Sequence, residues 1–159
     1  MTQHVLLYVE DEKGDVFFMR HAFQHIGASI VLQITTTGPE AIAYLSGTGT
    51  YADRMMHPLP TVLLLDINLP GCSGFDVLKW LRERPEFKSL PVIMFSSSSR
   101  PEDIQKAREL GATDYREKPA SGLDFSEVAE ELLRKWMNEH PAASILPAPA
   151  TSPSGRRAK

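Results

Sequence analysis

The sequence predicts an α/β domain in which a parallel sheet carries helices on both faces. Two observations point there. Five short apolar runs alternate with five stretches of helical periodicity between about residues 4 and 140. The third run, Thr-Val-Leu-Leu-Leu at residues 61–65, is apolar on both faces, as a central parallel strand must be.

The elements follow in order. Residues 5–9 form a compact apolar run and read as a buried strand. Residues 15–26 place Val16, Met19, Phe23 and Ile26 at spacings of three and four, a helix face with Asp15 as a candidate cap. Ile30, Leu32 and Ile34 alternate within residues 29–35, which predicts a strand with one less buried face. Pro39 opens a short helix with Ala41, Ile42 and Leu45 inward, ended by Gly47 and Gly49. Residues 51–56 can add a helical turn, and Pro58 and Pro60 make the rest a loop. After the third strand, residues 73–84 form a helix with Phe75, Leu78 and Leu81 inward, stopped by Pro85. Residues 92–95 are a fourth, buried strand, followed by four serines at 96–99. A helix over 101–110 starts at Pro101 and is closed by Gly111. Residues 114–117 make a short fifth strand, and 123–140 a last helix whose face is Phe125, Val128, Leu132 and Trp136. Residues 141–159 are rich in Pro, Ala and Ser and end Gly-Arg-Arg-Ala-Lys, which predicts a flexible tail behind a domain of residues 1–140.

Composition narrows the function. The 159 residues are 42% hydrophobic and 23% charged, ordinary for one globular domain with one core. A formal net charge of −3 gives no broad electrostatic reason to bind nucleic acid or an anionic membrane. Cys72 is the single cysteine, so no intramolecular disulfide can form, which fits a reducing compartment. The N-terminal apolar run is too short for a secretory signal, and no segment approaches the ~18 apolar residues of a membrane span, so a cytoplasmic location is expected.

Ligands of open parallel sheets bind beyond the carboxyl ends of the strands. The residues there are unusual as a set. Glu10 and Asp11 follow the first strand, Asp66 the third, Ser96 the fourth, and Lys118 with Pro119 the fifth. Taken singly, each has an ordinary alternative: a cap or turn for Asp66, an acidic helix entry for Glu10 and Asp11, a surface turn for Lys118, a flexible loop for the serines. Taken together, they put three carboxylates, a hydroxyl and an ammonium on one rim. Three carboxylates in one place are costly unless a cation neutralises them. Mg2+ suits such a site, because it prefers oxygen ligands and keeps waters that phosphate oxygens can replace. The set suits phosphoryl transfer onto a carboxylate, with Asp66 as nucleophile, Mg2+ and Lys118 stabilising charge, and Ser96 donating a hydrogen bond. Gly71 and Gly74 then give the following loop freedom to approach a phosphate.

Four stretches in this order resemble the receiver domain of two-component response regulators: Val9-Glu10-Asp11-Glu12; residues 64–71 with Gly74; residues 91–96; and residues 111–119. The resemblance covers roughly residues 4–140. It implies a doubly wound five-stranded sheet of flavodoxin-like order 2-1-3-4-5 and a sensor histidine kinase or phosphotransfer protein as donor. It makes Asp66 the phosphoacceptor, with Mg2+ on the side chains of Asp11 and Asp66 and the backbone carbonyl of Asn68. Glu10 stands where many members have Asp and would reach the metal through water. Ser96 and Tyr115 would be the switch pair, Lys118 the phosphate contact, and the Lys118–Pro119 bond cis. The stretch 47–60 is longer than in a minimal receiver and resembles the subgroup that partners phytochrome-type kinases. With no DNA-binding segment after the last helix, output is expected through an unidentified downstream protein, homodimer formation or onward relay. Leu133 and Met137 offer either a dimer face or core packing. A receiver-like interaction module that is never phosphorylated is the alternative.

Other signals weigh less. His21 and His25 are spaced to share a metal but lack an acidic third ligand, and Cys72 has no cation in sequence to activate it. A phosphohydrolase would need a cap insertion the chain lacks, and an FMN binder would need a phosphate loop where Glu10-Asp11-Glu12 stands.

Overall fold

The computed structural model describes residues 3–137. Its elements are β1 (Val5–Val9), α1 (Lys13–Ile26), β2 (Val31–Thr35), α2 (Gly38–Ser46), β3 (Val62–Leu65), α3 (Gly74–Arg82), β4 (Val92–Ser96), α4 (Pro101–Glu109), β5 (Asp114–Glu117) and α5 (Phe125–Trp136). The strands form one parallel sheet in the order β2-β1-β3-β4-β5, as the resemblance implied. The predicted tail at 141–159, and the last three residues of the predicted final helix, lie outside the described residues. No described helix is long and apolar enough to cross a membrane.

Two apolar layers hold the sheet, and the alternation of each strand supplies both. Leu6, Tyr8, Leu64, Ile93 and Phe95 face α1 and α5, packing on Met19, Phe23, Val128 and Leu132. Leu7, Val9, Leu63, Leu65 and Met94 face the other way, onto Ala41, Leu45, Phe75, Leu78 and Leu81. β1, β3 and β4 are therefore buried on both faces, whereas β2 is half-buried at an edge, as its alternation predicted. Leu133 and Met137 are fully buried in the first layer, so the core claims the two residues the sequence offered for a dimer face.

Helix boundaries show where local reading fell short. α1 starts at Lys13, and its cap position is Glu12, so Asp15 lies in the first turn and is not the cap. α3 is closed at its start by a capping box in which Ser73 Oγ accepts from the Asp76 amide and Asp76 accepts from the Ser73 amide. α5 begins at Phe125, two residues later than predicted, because Leu123 sits in a 3-10 turn (Gly122–Asp124) with 86% of its surface exposed. The Lys118–Pro119 bond is trans, since no cis peptide occurs among the described residues; trans is also the lower-energy isomer of an X–Pro bond.

The long segment after α2 is ordered by polar contacts. It opens with a 3-10 turn at Gly49–Tyr51, and the turn of α-helix expected over 51–56 does not form. Arg54 folds back instead, donating from Nη1 to the Tyr44 carbonyl (2.7 Å) and the His57 carbonyl (3.1 Å), and from Nη2 to the Leu45 carbonyl (2.9 Å). Tyr44 and Leu45 are in the last turn of α2, where the negative end of the helix dipole favours a cation; the Tyr44 carbonyl also accepts from the Gly47 amide at 3.2 Å. Tyr44 Oη donates to the Pro58 carbonyl at 2.7 Å, and the Tyr51 ring packs tilted against Tyr44 and edge-on to His57. Arg54→Ala removes three charge-assisted bonds and should lower stability by about 2 kcal/mol, read from the urea midpoint. An unchanged midpoint would show that the tyrosine hydrogen bonds and the aromatic contacts hold the segment without Arg54.

Candidate functional site

The carboxyl ends of the strands are placed by hydrogen bonds that run past the strands themselves. The Glu10 amide donates to the Thr35 carbonyl (2.9 Å), the Asp66 amide to Val9 (3.2 Å), and the Lys118 amide to Ser96 (2.8 Å). Each rim residue is thus fixed by the neighbouring strand before its side chain makes any contact. The strand order reverses between β1 and β3, and the acidic residues flank that point.

The side chains converge there. Carboxylate oxygens of Glu10, Asp11 and Asp66 all lie within 4.8 Å of one another. Glu10 and Asp66 are buried, with 0% and 5% of their surface exposed, while Asp11 opens to solvent. Lys118 Nζ enters from β5 and is 2.8 Å from Glu10 Oε1, 2.8 Å from Asp15 Oδ2 and 3.4 Å from Asp66 Oδ2. Three carboxylates therefore match the three donors of one ammonium. Asp66 Oδ1 accepts from the Ile67 amide at 2.7 Å. Ser96 is fully buried at the end of β4, and its hydroxyl accepts from the Ser98 amide (3.1 Å). Tyr115 is half-buried on β5 and donates its hydroxyl to the Ser98 carbonyl at 2.8 Å. Asn68 lies exposed in the loop after β3.

All seven residues read from the sequence thus occur at the same end of the sheet, and five of them (Glu10, Asp11, Asp66, Ser96 and Lys118) stand at or just beyond strand ends. Two residues were missed. Sequence position makes Asp15 a candidate helix cap, yet in the first turn of α1 its carboxylate reaches the ammonium of a residue 103 positions away. Tyr8 belongs to a buried apolar strand, yet its hydroxyl donates to Glu10 Oε1 at 3.1 Å. Part of the signal for Tyr8 was legible: it is the single phenol in β1, and strand alternation puts it on the same face as Glu10, although their contact is decided only in the fold.

The two glycines of the loop after β3 also meet packing demands. A Cβ on Gly74 would stand 2.0 Å from the Asp66 carbonyl oxygen, so this glycine lets the start of α3 press against the backbone of Asp66. Gly71 has a φ of 87° and packs on the Pro39 ring. Both positions are demanded by the chain's own packing. Cys72 is half-buried beside Gly38, and burial, aided by Asp76, pushes its thiol pKa up, which agrees with an unreactive loop residue. His21 and His25 stack on the exposed side of α1, away from any third ligand among the described residues.

The electrostatics reflect crowding. Burial drives the Glu10 carboxyl up to about 7; hydrogen bonding to Lys118 opposes this and the charge of Asp66 adds to it. For Lys118, burial acts to lower the pKa, but bonds from Asp15 and Glu10 and the charge of Asp66 prevail and hold it above the ordinary lysine value. The oxygen-only donor set, its spacing and the surplus of negative charge over one lysine fit a hard divalent cation held by Glu10, Asp11 and Asp66.

Comparison with known proteins agrees with this geometry. The model of the response regulator receiver domain matches residues 6–130, and the chain belongs to that family. Response regulator Rcp1 of Synechocystis is 29% identical over 133 residues, covering 84% of this chain and 88% of its own. The crystal structure of the phosphorylated cyanobacterial phytochrome response regulator RcpA superimposes with a TM-score of 0.79 at 27% identity, over 92% of this chain and 100% of that one. A Mn2+-bound form of Rcp1 does so with a TM-score of 0.75 at 27% identity, over 92% and 99%.

A raised carboxyl pKa has a definite sign in stability. The Glu10 carboxyl binds its proton more tightly folded, at about 7, than at its ordinary value of 4.5. Its contribution is fully present below pH 4.5 and is lost as pH rises through 7. In chelator, the wild-type urea midpoint should therefore fall relative to that of Glu10→Gln across this interval. Parallel curves for the two proteins would show that Glu10 titrates normally.

Proposed function

We propose that this protein is a phosphorylation switch in which Asp66 accepts a phosphoryl group from a sensor histidine kinase or phosphotransfer protein. One observation carries the reading: Asp66 ends the central strand with Lys118 Nζ 3.4 Å from Oδ2 and two further carboxylates beside it. Asp66 attacks the donor's phosphorus, a P–O bond to the carboxylate forms, and the P–N or P–O bond to the donor breaks as the donor leaves with its electron pair. Lys118 offers a fixed positive charge to the phosphoryl oxygens, and Ser96 offers a hydroxyl. Glu10, Asp11 and Asp66, with the Asn68 carbonyl, would hold Mg2+, which supplies the neutralising charge that brings an anionic donor onto an anionic acceptor.

Output rests on the β4–α4 loop. The Ser96 hydroxyl is bonded to the Ser98 amide, and Tyr115 is bonded to the Ser98 carbonyl, so one residue links both. An acyl phosphate carrying about −2 charge draws Ser96 away from Ser98. Tyr115 then loses its anchor and repacks, which remodels the surface of α4, β5 and α5 for a downstream protein. The donor is a phytochrome-type kinase. Likeness to Rcp1 and to the phytochrome response regulator RcpA supports this, as does the long segment after α2.

Intact mass after incubation with acetyl phosphate tests the core of the proposal. The wild type should gain one phosphoryl group with Mg2+ and none in chelator, and Asp66→Asn should gain none under either condition. An adduct on Asp66→Asn would move the acceptor elsewhere; no adduct on the wild type would leave a receiver-like interaction module.

A further inference from the structure

We infer that the Tyr8 hydroxyl is a positioning group for the metal site, fixing Glu10 so that a single oxygen faces the cation. This rests on the metal-dependent reading above and adds a residue to it.

β1 is aliphatic except for Tyr8. All five of its residues are buried, so a phenol there must find a partner for its hydroxyl. Tyr8 and Glu10 lie two positions apart and share a face. The hydroxyl donates to Glu10 Oε1 at 3.1 Å. The ring cannot swing, because it is fully buried and tilted against Phe95 with centroids 6.0 Å apart. Tyr8 is therefore a rigid donor.

The acceptor is accounted for oxygen by oxygen. Glu10 Oε1 receives Tyr8 and Lys118 Nζ, which occupy its two lone pairs. Oε2 receives the Glu12 amide at 3.2 Å, which leaves one lone pair. That remaining site is what Glu10 can present to a cation or to its bound water. A glutamate has one more rotatable bond than an aspartate, and its side chain here is fully buried. Without the phenol, Lys118 and one amide would be all that orients it, and Lys118 is shared with Asp15 and Asp66. Outer groups that orient metal-binding side chains commonly matter tenfold or more in metal affinity.

Calorimetric titration of metal-free protein with MnCl2, on wild type and Tyr8→Phe, tests this. Phe keeps the ring and its packing and removes only the donor. We expect Tyr8→Phe to bind about tenfold more weakly. We also expect it to need a higher Mg2+ concentration than the wild type to reach half its maximal rate of phosphoryl uptake from acetyl phosphate. Equal affinities in the two proteins overturn the inference alone. A wild type that takes up no Mn2+ overturns the metal-dependent reading and the inference with it. Should Tyr8→Phe fail to fold, the ring resonances of Tyr8 in the wild type decide: movement on adding Mg2+ supports the coupling, and unchanged resonances overturn it.

Discussion

A single ammonium group surrounded by carboxylates governs the functional end of this molecule. Glu10, Asp11, Asp15 and Asp66 gather where β1 and β3 end, and Lys118 is the cation that reaches three of them. Like charges this close repel strongly in a partly buried setting, and Lys118 offsets only part of the excess. The residual charge is what makes the rim receptive to a divalent cation. Stability and function thus pull in different directions at the same place: the arrangement is costly when empty and suited to being filled.

The scaffold makes the arrangement possible. β1, β3 and β4 are sealed between two apolar layers, so their ends cannot slip relative to one another without moving every core side chain to the wrong face. The interstrand bonds at Glu10, Asp66 and Lys118 extend this rigidity one residue beyond the strands. Site geometry is therefore set by backbone register, and the side chains need only short reaches to meet. The long segment after α2 is separately organised. Arg54 and the cluster of Tyr44, Tyr51 and His57 fix it on α2 and leave Met55 and Met56 exposed beyond it.

Much of this was readable in the chain because the signals are local. Apolar runs at residues 5–9, 61–65 and 92–95 give buried strands, since a strand covered on both faces admits few polar residues. Helix faces followed from spacing, and Gly27 and Gly47 at the ends of α1 and α2 adopt the left-handed conformation that closes a helix. Failures clustered where a residue had two plausible partners. Asp15 resembles a cap from its neighbours, but its true partner lies on β5. Leu123 fits the periodicity of the last helix, but the chain is still in a 3-10 turn there. Residues 51–56 have adequate helix propensity, yet an isolated turn is marginal and Arg54 instead bonds the carbonyls at the end of α2.

By itself, then, the sequence determined the alternation of strands and helices, the residues that end each strand and the chemical types on the shared rim. These depend on periodicity of 2 or 3.6 and on positions counted along the chain. Only the tertiary structure decided which rim residues touch. Lys118 meets Asp15 across 103 residues and Asp66 across 52, and Tyr8 meets Glu10 through a side-chain direction that matters only once both are buried. The reason is physical: a charged or phenolic group finds its partner through distance and desolvation in the folded state, and neither quantity is encoded in spacing along the chain.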